Sequence, residues 1–165
     1  MRILYASERP PYPFFLGGAA RCAHELLYAL TSELGAECTA VGSSDYKVSP
    51  WSYPDVTESA ALGVRRSTRD GSRGTIDCGY PCRVFPDYPA ELARLIDSFK
   101  PDVLWAQLEG AKFALELARS KGVQGLLFVH DAESDPVELR QIGELDCHLA
   151  CSSGFLAKKV ARTTG

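Results

Sequence analysis

Four near-continuous apolar runs mark the chain, at residues 2–7, 37–42, 102–107 and 125–131, with a weaker fifth at 147–152. Runs this short and this uniformly apolar predict parallel strands covered on both faces. Helical spacing fills the intervals. Ala23, Leu26, Leu27, Leu30 and Leu34 form one stripe, followed by Gly35 as a stop. Leu92, Leu95, Ile96 and Phe99 form a second, ahead of Pro101. Phe113, Ala114, Leu117 and Ala118 form a third, closed by Gly122. Asp135, Pro136 and Glu138 read as an N-cap, a proline at the first helical position and a capping-box acid. A last helix is predicted from residue 153 to about 162. Strands alternating with helices predict an α/β domain with a doubly wound, mainly parallel sheet in a three-layer α/β/α sandwich.

The middle, residues 43–82, breaks this rhythm. It is rich in Gly, Pro, Ser and Thr, and reads as partly loop, with short strands near 64–67 and 82–85. Arg65, Arg66, Arg69 and Arg73 cluster within it. They are read either as a solvated loop or hairpin, or as a contact for an anionic acceptor or a membrane surface.

With 165 residues, 45% of them hydrophobic, the chain suits one domain (1–165) with a core that needs no disulfides. A net charge of −3 gives no electrostatic case for nucleic-acid binding. No signal peptide and no spanning segment are expected, which points to a cytoplasmic protein. The six cysteines sit mostly in apolar periodic segments, as reduced core thiols would. Cys78/Cys82 and Cys147/Cys151 have C-x3-C spacing, but zinc sites prefer tighter pairs on turns, and no metal site is expected.

Candidate chemistry gathers where the strands end. In an open parallel sheet, ligands bind outside the carboxyl ends of the strands. Those ends lead here to Gly17-Gly18, to Gln107-Leu108-Glu109-Gly110, to His130-Asp131-Ala132-Glu133 and to Ser152-Ser153-Gly154. The paired glycines precede a helix, where free N–H groups favour an anion; a tight turn into the helix is the plainer reading. His130 directly follows a rigid strand. It suits proton handling or a hydrogen bond to a hydroxyl or phosphate, or is a rim histidine with no chemical role. His24 and His148 read as structural. Asp131 is placed to orient His130 or to bind a sugar hydroxyl. Asp45 imitates the ribose-binding acid of a dinucleotide site, but the long proline-rich stretch from Glu8 to Gly18 does not suit a pyrophosphate turn.

The pieces "MRILYAS", the proline loop into "GGAARCAHELLYAL", "KPDVLWAQ", "GLLFVHD" and "CHLACSS" occur in an order and spacing that resemble the N-terminal domain of family 4 glycosyltransferases, retaining enzymes of the GT-B fold. The resemblance covers almost the whole chain apart from the middle. It implies that Gly17 and Gly18 approach the donor diphosphate, that His130 lies near the transferred sugar, and that Asp131, Glu109, Ser152 and Arg140 face the acceptor. It implies a nucleotide-sugar donor, a sugar, lipid-linked or small-molecule acceptor, a peripheral contact with the inner face of the membrane as a further option, and no cofactor. The family's second, nucleotide-sugar-binding domain is not in this chain, which is expected to be inactive alone. The alternatives are a stand-alone Rossmann-like nucleotide-binding or regulatory module, and half of a dinucleotide-dependent enzyme.

Overall fold

The computed structural model describes residues 1–15, 17–45, 66–70, 73–107, 109–130 and 135–164. The order is β1 (Arg2–Ala6), α1 (Gly18–Ser32), β2 (Glu37–Ser43), β3 (Arg66–Asp70), β4 (Arg73–Asp77), β5 (Pro81–Phe85), α2 (Tyr88–Phe99), β6 (Val103–Ala106), α3 (Ala111–Ser120), β7 (Gln124–Val129), α4 (Pro136–Gly143), β8 (His148–Cys151) and α5 (Gly154–Thr164). The described strands form one sheet in the order β3-β4-β5-β2-β1-β6-β7-β8. Pairing is parallel from β5 through β8, while β3, β4 and β5 pair antiparallel.

All five apolar runs are strands, each within a residue or two of its expected bounds. The direction of winding reverses at β1, since β2 lies on one side of it and β6 on the other. That reversal opens a crevice at the carboxyl ends of β1 and β6. Helices cover both faces. Leu4, Ala6, Leu104 and Leu127 pack under residues of α2, α3, α4 and α5. Ile3, Tyr5, Cys38 and Trp105 pack with Ala23 and Leu27 of α1.

Three expectations are corrected. Leu26 and Leu34 were expected in the core stripe of α1 but are 42% and 73% exposed. The helix ends at Ser32, so Leu34 lies past it, and the buried face is Ala20, Ala23 and Leu27. Phe113 is likewise exposed, and Leu115 takes the buried place on α3. The middle segment contributes more sheet than expected: β3 and β4 form a hairpin that carries Arg66, Arg69 and Arg73, extended by β5. Arg65 lies outside the described residues. The cap at α4 is as expected, with Asp135 accepting from the Val137 N–H at 2.9 Å.

All six cysteines are free thiols. Among the described residues no helix is long and apolar enough to cross a membrane, and no three His, Cys, Asp or Glu side chains converge as a metal site.

Candidate functional site

The segment after β1 is fixed by its neighbours on both sides. The Glu8 N–H donates to the Glu109 carbonyl at 2.9 Å, and the Glu8 carbonyl accepts from the Ser43 N–H at 3.1 Å. Arg9 forms an ion pair with Glu109. Its guanidinium lies over the Phe15 ring, 5.1 Å from the centroid. Phe15 in turn fills the space beside Gly17, where any Cβ would collide with its ring. A continuous stack thus runs from Glu109 through Arg9 and Phe15 to the mouth of α1.

The prolines of this segment press on β2. A Cβ at Gly42 would stand 2.7 Å from Pro11 Cδ and 2.9 Å from the Arg9 carbonyl oxygen, so only glycine fits without a shift. Tyr12 stacks on His24 of α1, with centroids 4.5 Å apart, and His24 Nδ1 lies 2.8 Å from the Tyr80 hydroxyl. Burial lowers the His24 pKa. His24 therefore has a packing role, as the sequence suggests. These contacts give the loop a fixed shape that its length alone would not.

The mouth of α1 is bare. Gly17 is its N-cap, in extended conformation, with no side-chain cap, and no acidic residue stands in the first turn. A Cβ at Gly18 would meet nothing within 4 Å. Such a helix end presents unpaired N–H groups and the positive end of the helix dipole. Gln107, fully buried at the end of β6, donates through Nε2 to the Ala19 carbonyl at 3.4 Å. Among the described residues its Oε1 has no hydrogen-bond partner.

The second part of the rim lies at β7 and β8. The Ser152 N–H donates to the Val129 carbonyl at 3.1 Å, and the Ser152 hydroxyl donates to the His130 carbonyl at 3.0 Å. His130 is half-buried, its ring tilted against Phe128, and its buried Nδ1 has no hydrogen-bond partner among the described residues. A buried ring nitrogen of this kind carries a hydrogen-bonding demand that the described residues do not meet.

The expected residues thus divide. Gly17, Gly18 and Glu109 belong to one tied unit, and His130 and Ser152 to a second, along the same carboxyl edge. Arg140 is exposed in the last turn of α4, and among the described contacts none joins it to either unit. Asp131 lies outside the described residues. Sequence reasoning did not single out Arg9, and named Gln107 only as the end of a strand. Gln107 had a signal, as a polar residue directly after an apolar strand. Arg9 had none, because its partner is 100 residues away.

No protein-family model and no curated protein sequence matches this chain. Among solved structures, sucrose-phosphate synthase from Thermosynechococcus elongatus matches with a TM-score of 0.53 at 13% identity. The match covers 98% of this chain and 44% of that one. The fold is that of one half of a GT-B enzyme.

Proposed function

We propose that this chain is the acceptor-side half of a glycosyltransferase, whose parent enzyme moves a sugar from a nucleotide-sugar donor to an acceptor hydroxyl with retention. The observation that supports this most is the pairing of a bare helix mouth with a half-buried histidine on one carboxyl rim, in a fold shared with half of a sucrose-phosphate synthase. The N–H groups at Gly18 and the next residues of α1 receive donor phosphate, and stabilise charge that grows on the leaving diphosphate. His130 hydrogen-bonds a hydroxyl of the transferred sugar. Glu109, Ser152, Asp131 and Arg140 face the acceptor, and a second domain supplies the remaining donor contacts and excludes water.

The reading is tested by titrating the 15N-labelled chain with UDP-glucose and, separately, with NAD. UDP-glucose is expected to move the Gly17 and Gly18 amides saturably, with a Kd of about 1 mM, equivalent to roughly −4 kcal/mol. Tighter binding of NAD at the same amides would favour a dinucleotide enzyme instead. Absence of any UDP-glucose response there would remove the donor-phosphate role.

A further inference from the structure

Two thiols stand in the hairpin that joins β4 to β5. Cys78 lies in the turn and Cys82 on β5. Both are free, and they are 1% and 0% exposed. The strands pair antiparallel, with Ile76 opposite Cys82 and Asp77 opposite Pro81. Cys78 follows directly, and its N–H donates to the Tyr80 carbonyl at 3.0 Å. Ile76, Cys78, Tyr80 and Cys82 alternate along the hairpin and all join the core on the α1 side of the sheet. There the Cys78 and Cys82 thiols meet in a side-chain hydrogen bond. The other buried or half-buried thiols are built differently: Cys38 bonds Thr31, and Cys147 bonds the Ile142 carbonyl at 3.7 Å.

The pair is asymmetric. The hydrogen bond from Cys82 holds the Cys78 thiol below its usual range. Burial pushes the Cys82 thiol well above that range, so it keeps its proton and donates. The thiolate is the form that reacts with an oxidant, which makes Cys78 the attacking sulfur and Cys82 the resolving one. Gly79 stands between them in the turn, at φ +90 and partly exposed. A turn built on glycine gives the backbone room to bring the sulfurs to the bonded distance of about 2 Å.

The neighbours of the pair give its state a consequence. Tyr80 hydrogen-bonds Cys82, and its hydroxyl lies 2.8 Å from His24 Nδ1. His24 stacks on Tyr12, with centroids 4.5 Å apart. Tyr12 belongs to the proline loop that leads into α1. Drawing the Cys82 sulfur away from Tyr80 therefore disturbs a contiguous set of contacts that ends at that loop.

We infer that Cys78 and Cys82 form a reversible disulfide with hydrogen peroxide as oxidant, and that its closure is felt through Tyr80 and His24 at the loop before α1. The Cys78 thiolate attacks one peroxide oxygen and the O–O bond breaks. Cys78 becomes a sulfenic acid, and the departing hydroxide takes up the proton that Cys78 had released. The Cys82 sulfur then attacks the Cys78 sulfur. The S–S bond forms, the S–O bond breaks, and the hydroxyl leaves as water with the Cys82 proton. The two thiols lose two electrons, and peroxide gains them as it becomes two waters. Peroxide is small enough to enter at the partly exposed turn, and a dithiol restores both thiols by exchange. The inference does not depend on the transferase reading.

The test treats the reduced, folded chain with millimolar hydrogen peroxide, alkylates it with N-ethylmaleimide and digests it with trypsin. Cleavage after Arg73 and Arg83 leaves both cysteines on one peptide, residues 74–83. That peptide is expected to be two hydrogens lighter than its reduced form, free of alkylation, and restored by dithiothreitol. In the 15N-labelled chain, closure is expected to shift the Tyr12 and His24 amides. Cys82→Ser is expected to stop at the Cys78 sulfenic acid, which dimedone traps. The inference is overturned by two free thiols in peptide 74–83 after treatment, by closure only in urea, by pairing with another cysteine, by oxidation of Cys78 past sulfenic acid without an S–S bond, or by closure with no shift at Tyr12 or His24. The measurements on the unmodified sequence decide this even where Cys82→Ser does not fold. No nucleotide sugar enters them, so this inference and the transferase reading fail separately.

Discussion

The carboxyl rim of the sheet divides at β6 into two differently built parts. On the β1 side the chain is tied from both flanks: β2 and the turn before α3 hold Glu8, Arg9 bridges to Glu109, and prolines seat on Gly42. On the β7 side the rim is joined by two bonds from Ser152, at the end of an edge strand whose residues are half or fully exposed. The difference shows where preorganisation lies. A loop of prolines and aromatics is fixed by packing and sets the shape of the α1 mouth, whereas His130 and Ser152 form a lighter wall. In a two-domain enzyme the first part suits a rigid cradle, and the second suits contacts completed by ligand.

The contrast is broken most strongly at Gly42. Gly42→Ala forces a Cβ against backbone and proline ring, and overpacking of this kind costs about 2–3 kcal/mol. Ser152→Ala removes one bond near solvent and is expected to cost about 0.5 kcal/mol. Urea denaturation of both variants measures the gap. Equal losses would mean that the two parts of the rim are built alike.

A smaller effect sharpens the same contrast. The Arg9–Glu109 pair is partly solvated, so a double-mutant cycle with Arg9→Ala and Glu109→Ala is expected to give a coupling of about 0.5 kcal/mol that shrinks at high salt. A coupling of zero in low salt would show that the loop is held by backbone bonds and packing alone.

Much of this was legible in the sequence because it depends on local pattern. Continuous apolar runs gave β1, β2, β6 and β7, and the Asp135-Pro136 signal gave the start of α4. β4 was hidden because Arg73–Asp77 carries one strongly apolar residue, Ile76, between charged ends. Its strand character comes from pairing with β5, which no local window contains. Leu26 and Leu34 misled because helical spacing identifies a stripe but not its width, and α1 meets the sheet through the narrower alanine-lined face. In the site, the strand ends marked Gly17, Glu109, His130 and Ser152 correctly as rim positions. Arg9 depends on a contact between distant segments and left no mark in the local pattern.

The central claim is that this rim is one wall of a sugar-transfer cleft. It is tested most directly by sugar transfer in a protein that joins this chain to a second, nucleotide-sugar-binding domain, with native His130 and with His130→Ala. The account expects saturable transfer from a nucleotide sugar, and a fall of about 100-fold in kcat for His130→Ala, as for loss of one preorganised hydrogen bond at a reacting centre. No transfer from any nucleotide sugar, or unchanged turnover without His130, would contradict it.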